Sequence, residues 1–339
     1  MKRKTKAAIK LPETSNVRIN FAGYNLPPDG KSTLAVLPNE RTKESGFSVS
    51  NKWSSVAALV RKGIKREECQ DTAAVFTCED FLVAGVFDGY AGLGGTIVSD
   101  SMANHMIEIC LEQGKQLAGN PDAKALLVNA AGRLADDTFP PELTGGFWGS
   151  TGMVALVLPD GTFSLAAIAD SAVYVVGQRS VKRMLNYDTV LTHDLSYAPA
   201  IGMDLDQYSR CRNYVMNTIE RSGASNCHVE TGTGTLRKGE SIVLVSDGIT
   251  KNLGIIVQKE KSRMVAKDVG GCRDLRRIIA GKRYGLAIAI ANEISARTEK
   301  CTVKGESARV TVSKNEVLAI QDDDISVVSI SLKASKQLK

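Results

Sequence analysis

Four runs in this chain are apolar at almost every position: "FLVAGVF" at 81–87, "FSLAAIA" at 163–169, "SIVLV" at 241–245 and "ISVVSISL" at 325–332. A strand with one wet face alternates apolar and polar residues. A strand that is apolar throughout has both faces covered. Short turn signals, "CED" at 78–80 and Pro-Asp-Gly at 159–161, join neighbouring runs as hairpins, which implies mainly antiparallel pairing. Helical spacing appears in "IVSDSMANHMIEICLEQ" through Val98, Met102, Met106 and Ile109, and a second helix follows Asp122 as its cap. "RYGLAIAIANEISART" reads as a third. The order is strands, helices, strands, helices, strands. The expected fold is α+β: a central sandwich of two antiparallel β-sheets flanked by helices on both outer faces, an α-β-β-α stack.

Residues 1–50 carry Pro12, Pro27, Pro28 and Pro38 among polar residues, and are expected to be an N-terminal extension that is partly ordered at best. Residues 51–335 then form a single domain, with no linker and no repeat. The longest apolar runs fall far short of the about 20 residues that a membrane helix needs. A net charge of +6, without aromatic residues interleaved in a basic stripe, gives nucleic-acid binding no support. The seven cysteines are scattered, with no CxxC pair, which argues against a disulfide framework and a structural zinc site. A reducing, cytoplasmic setting is the simplest. The basic "MKRKTKAAIK" reads as a solvated end, with a nuclear address as the alternative. A monomer is assumed.

Three apolar runs end in aspartate: Asp88, Asp170 and Asp247. At a fourth place the order is reversed, and Asp322, Asp323 and Asp324 precede the run. Asp71 likewise opens a strand in "CQDTAAVF". In antiparallel neighbours the end of one strand lies beside the start of the next, so these tips can share one rim. Clustered carboxylates repel, by about 1–4 kcal/mol per close pair depending on the local dielectric. A divalent cation removes that cost, and oxygen ligands select hard ions such as Mg²⁺, Mn²⁺ or Ca²⁺. An Asp-Gly pair alone is an ordinary turn; several aspartate-tipped strands are harder to explain that way.

With these residues in view, the chain resembles the metal-dependent serine/threonine protein phosphatases, the PPM or type 2C family, from about residue 54 to 333. The resemblance is carried by "REECQD", "VFDGYAG", "WGSTGMVALV", "IADSAVYVV", "LTHD", "LRKGESIVLVSDGIT" and "DDDISVV", in the family's order and closest in style to its bacterial branch. It implies that Asp88, Asp247 and Asp323 hold two core Mg²⁺ or Mn²⁺ ions, with Asp88 bridging and Gly89 lending a carbonyl. Asp71 and Gln70 would act through metal-bound waters, and Asp170 with Asp247 would serve a third, looser ion. Arg66 would grip the phosphate, for which a bidentate guanidinium is suited. The implied reaction is hydrolysis of phosphoserine or phosphothreonine in phosphoprotein substrates, by water activated between two cations. The alternative is a pseudophosphatase that binds phosphorylated partners without efficient turnover; a third reading is an acidic rim that binds structural calcium.

The chain departs from the family pattern in several places. Tyr90 stands where animal and plant members have histidine, and Ala91 replaces a glycine. Cys69 replaces an asparagine and Ala172 an arginine. Lys251 falls where many relatives place aspartate and would oppose a third cation; Asp324 replaces the usual asparagine. "TGTGTLRKGE" at 231–240 lacks a phosphate-loop ending and reads as a turn. His105 reads as a helix residue among core positions.

Overall fold

The computed structural model describes residues 32–37, 44–141, 148–185, 217–220, 223, 227–260, 263–268, 271–282, 285–303, 308–313 and 316–333. The basic N-terminus and "LTHD" lie outside the described residues.

Seventeen strands among the described residues form three sheets. The first runs β1 (Thr33–Leu37), β4 (Asp71–Thr77), β5 (Leu82–Tyr90), β7 (Gly152–Val157), β8 (Thr162–Ile168) and β11 (Glu230–Thr235), with β6 (Gly149–Ser150) pairing the end of β5. The second runs β10 (Val181–Leu185), β9 (Ala172–Val176), β12 (Ser241–Val245), β17 (Ile325–Leu332), β3 (Ser54–Arg61) and β2 (Glu44–Ser50). Their pairings are antiparallel throughout. The stretch expected to be an extension thus supplies β1 and β2. The third sheet joins β13 (Ile255–Glu260) and β14 (Arg263–Asp268) to β15 (Ala308–Ser313) and β16 (Glu316–Gln321).

Three apolar clusters explain the runs without alternation. On β5, Val83 and Phe87 face the helices α1 (Leu93–Gly119) and α2 (Ala123–Arg133), while Leu82, Ala84 and Val86 face the second sheet. On β17, Val328 and Ile330 join that same inter-sheet core, while Ile325 and Val327 face the opposite helical layer. That layer contains α4 (Cys272–Ile279) and α5 (Leu286–Val303); α3 (Asp247–Thr250) is a single turn at the end of β12. The α-β-β-α stack is therefore observed. Each inner strand sends alternate side chains into two different cores, which is why neither face is polar.

Local signals agree. Asp122 caps α2 by accepting a hydrogen bond from Ala125 N at 2.9 Å. The Pro-Asp-Gly turn closes through Leu158 N to Thr162 O at 2.8 Å, with Gly161 at φ +91°. Other boundaries moved. The expected helix at 97–113 begins earlier, at Leu93, and continues past non-helical Gln113 to Gly119. "TGTGT" is the edge strand β11 rather than a turn, and its residues alternate between half-buried and exposed. His105 lies on α1 among buried residues, as expected, and its ring bridges Glu108 (3.0 Å) and Asp137 (2.9 Å).

Candidate active site

Strand register brings the acidic tips together. Asp71, the first residue of β4, lies directly opposite Asp88 near the end of β5. In the second sheet β12 pairs β17, with Val245 opposite Val327, so Asp247 just past one strand adjoins Asp323 just before the other. Asp170 follows β8, and Ser171 Oγ beside it bonds Thr151 Oγ1 at 2.9 Å; Thr151 Oγ1 in turn accepts from Asp88 N at 3.2 Å. The carboxyls of Asp88 and Asp247 lie close enough to share a hydrogen bond.

The backbone is built for close approach. A Cβ on Gly89 would lie 2.3 Å from Gly95 O, so only glycine lets the start of α1 pack on the end of β5. From the helix side, a Cβ on Gly95 would lie 2.3 Å from Tyr90 O and one on Gly94 2.5 Å from Trp148 Cγ, so both serve the same packing. Gly248, after Asp247, would place a Cβ 1.8 Å from Asp324 O. Ala91 and Ala169, each one to three residues from a rim aspartate, hold φ of +68° and +80°, a region that costs a residue with a side chain about 1–2 kcal/mol.

The carboxylates divide into two groups. Both oxygens of Asp71 and Oδ2 of Asp88 are buried and make no hydrogen bond. Burial, and then the charge of Asp324, push the Asp71 carboxyl well above the usual range; Ser246 and Ser326 are near enough to offset part of this without a well-formed hydrogen bond. Burial, and then Asp247 and Asp71, do the same to Asp88. Asp247 differs. Burial alone would raise it, but the Lys251 ammonium, a hydrogen bond with Asp88 and the Arg66 charge together outweigh burial and hold it below the usual range. Lys251 Nζ donates to Asp247 Oδ2 and lies 3.6 Å from Asp323 Oδ2, and Lys251 is only 7% exposed. Asp323 also accepts from Arg66 Nη2 and from Asp324 N (3.0 Å). Burial opposes the Lys251 charge, but Asp247, Asp323, Asp170 and Asp88 raise its pKa above the ordinary lysine range. Arg66 behaves likewise: Asp323 and Asp324 more than offset its partial burial.

Asp324 binds backbone rather than a cation. It accepts from Gly63 N at 2.8 Å and from Gln70 N at 2.7 Å, and burial pushes its carboxyl up to about 6. Asp322, which the sequence reading counted only as part of the acidic triplet, accepts from Ile64 N (2.8 Å) and Lys65 N (2.7 Å). Together these two carboxylates pin the loop that carries Arg66. An asparagine in place of Asp324 would offer one amide donor to a backbone N–H, so the carboxylate suits this double acceptance. Gln70 donates to Gly92 O at 2.7 Å and so ties the same loop to the start of α1. Tyr90 Oη donates to Thr218 Oγ1 at 3.0 Å, and burial raises its pKa, which makes it a poorer acid than an isolated tyrosine.

Buried carboxylate oxygens without partners, on Asp71 and Asp88, are a donor set fit for one hard cation. The Asp247–Asp323 side does not fit a second in this arrangement, because Lys251 Nζ stands between those carboxylates. Accordingly, among the described residues no three Asp, Glu, His or Cys side chains surround a common point at ligand spacing. Lys251, expected to oppose a third ion, acts instead at the core pair.

Comparison with solved structures places the fold. The serine/threonine phosphatase of S. agalactiae superposes with a TM-score of 0.53 at 16% identity, over 83% of this chain and 100% of that one. The Mycobacterium tuberculosis serine/threonine phosphatase PstP/Ppp gives 0.54 at 16%, over 83% and 100%. The fold is that of the PPM, or type 2C-like, phosphatases. RsbX, solved in complex with magnesium, gives 0.50 at 10% identity over 85% of this chain and 100% of that one. No protein-family model matches the sequence, and no curated protein sequence does. Within this PPM fold the acidic rim gathers Arg66, Asp71, Asp88, Asp247, Asp323 and Asp324 from both sheets.

A cavity of about 700 Å³ lies at the other end of the second sheet, lined by Arg179, Lys238, Arg276 and Lys282 among others. It opens beside Ser241 and Ser331, at the strand ends opposite Asp247 and Asp323, and none of the unpartnered buried polar atoms belongs to its lining. No described helix is long and apolar enough to cross a membrane.

Proposed function

We propose that the acidic rim hydrolyses phosphoserine or phosphothreonine in protein substrates with the help of bound Mg²⁺ or Mn²⁺. The observation that carries this reading is the pair of facing aspartates, Asp71 and Asp88, whose buried oxygens lack partners at the edge of a PPM-type sandwich. Asp71 and Asp88 would hold the ion, which would supply Lewis-acid activation of water and offset charge on the phosphoryl oxygens. The protein's own part is positioning. Asp322 and Asp324 fix the loop that bears Arg66, whose side chain is 41% exposed. A guanidinium has five N–H donors, so Arg66 can bind a phosphate while still paired with Asp323. Tyr90, committed to Thr218, is not placed as a strong leaving-group acid, so a leaving serine or threonine alkoxide would take its proton from solvent.

One observation favours the second reading, a phosphoprotein-binding pseudophosphatase: the ammonium of Lys251 stands between Asp247 and Asp323, where the family resemblance puts an ion. A single assay separates the two. Purified protein is given an aryl phosphate and a phosphothreonine peptide with Mn²⁺ or EDTA. Manganese-dependent turnover that drops by about three orders of magnitude in Asp88→Ala supports hydrolysis. Phosphopeptide binding without turnover of either substrate supports the binding protein.

A further inference from the structure

We propose that Lys251 is a built-in cation that replaces one of two metal ions, so that the rim takes a single divalent ion, on its Asp71–Asp88 side. This rests on the metal-dependent reading above and specifies its metal count.

Charge and burial support it. On the second-sheet side, Asp247 and Asp323 carry two negative charges, and Lys251 and Arg66 bring two positive ones to the same carboxylates. Those two carboxylates are balanced without any ion. Lys251 reaches it from the fourth position past Asp247, which one turn of α3 turns back onto the same face. Its backbone N also donates to Asp247 O at 2.7 Å, so the turn that aims the side chain is closed by the residue it neutralises. A divalent ion coordinated by Asp247 and Asp323 would have to sit beside the ammonium or expel it. Expulsion would strand a lysine that is nearly fully buried, with solvent access blocked by its own packing. On the first-sheet side both oxygens of Asp71 and Oδ2 of Asp88 are buried and accept no hydrogen bond. One divalent ion there balances two carboxylates. The lysine also supplies something a metal does not, a charge that chelators cannot remove.

The test counts bound ions rather than turnover. EDTA-stripped, full-length protein is titrated with Mn²⁺, and free Mn²⁺ is followed by its electron paramagnetic resonance signal. The wild-type chain is expected to bind one Mn²⁺, with no exchange-coupled pair spectrum at saturating metal. Lys251→Met, close in length and neutral, is expected to bind a second Mn²⁺ at least tenfold more tightly than the wild type does, and to show the coupled pair. A wild-type chain that binds two ions with a coupled spectrum overturns the proposal and leaves the phosphatase reading standing. A Lys251→Met chain that still binds only one ion overturns it as well. If Lys251→Met fails to fold, the wild-type count and spectrum decide alone. Binding of no Mn²⁺ by the wild type overturns both this proposal and the metal-dependent reading, whereas one ion bound without turnover overturns only the reading.

Discussion

The two halves of the acidic rim use the same residue type and meet opposite fates. On the first sheet, Asp71 and Asp88 face each other without hydrogen-bond partners for three of their four oxygens. On the second, Asp247 and Asp323 are met by Lys251 and Arg66, and Asp324 by two backbone N–H groups. A buried carboxylate needs a cation, a set of donors or a proton. The second half is supplied from within the chain, while the first half depends on something from solution. The difference teaches that an acidic cluster does not by itself report how many ions it binds; the neighbouring cations decide that.

The largest expected effect breaks the satisfied half. Lys251→Met leaves Asp247 and Asp323 short of a buried partner and should destabilise the metal-free protein by about 3–5 kcal/mol in urea unfolding. No loss of stability would mean that the ammonium is not held between those carboxylates.

Proton uptake probes both halves at once. Asp324 has a folded-state pKa of about 6 against an ordinary 3.8, and Asp71, Asp88 and Asp323 are shifted in the same direction. A raised folded pKa means that the folded state binds the proton more tightly. The associated stability is present below the unfolded pKa and is lost as pH rises through the folded value. Metal-free protein should therefore gain stability as pH falls from 8 towards 5, with about 1–1.5 kcal/mol from Asp324 alone over that range. Asp247, whose pKa is lowered, titrates below this window and does not cancel the gain. Thermal melts in EDTA across that range check the sign, and a flat profile would contradict the burial of these groups.

Neutralising the unsatisfied half should have the opposite sign to Lys251→Met. Asp71→Asn removes a buried charge that lacks a partner, and should stabilise the metal-free protein by about 1–2 kcal/mol at pH 7.5 while abolishing stabilisation by Mn²⁺. Destabilisation in EDTA would show that Asp71 is already neutralised in the apo protein. The smallest effect concerns backbone strain at the same edge. Ala91→Gly should stabilise by about 1 kcal/mol, because φ of +68° favours glycine. The companion strained residue, Ala169, lies next to Asp170 on the same sheet.

Much of the fold was legible because it is written locally. Runs such as "FLVAGVF" have no polar face, and only a strand between two cores tolerates that. Asp122, the Pro-Asp-Gly turn and the Met102–Met106 spacing each announced their element within a few residues. The start of α1 was hidden because Leu93, Gly94 and Gly95 look like a loop in isolation. They become helical through packing against Tyr90 and Trp148, neighbours that no local pattern specifies. The gathering of Asp71, Asp88, Asp170, Asp247 and Asp323 was foreseeable, since antiparallel pairing sets strand ends beside strand starts. The roles of Asp322 and Asp324 as acceptors for the Arg66 loop were not, since their partners are backbone N–H groups.

By itself, then, the sequence determined the class of fold, the edge at which the acidic residues collect and their chemical hardness, because periodicity and residue type act over short spans. Only the tertiary structure decided which carboxylates are neutralised internally. Lys251 reaches Asp247 across one turn of helix, but it reaches Asp323 only because β12 and β17 are neighbours. A charge balance at a few ångströms depends on distances that the order of residues along a chain does not contain.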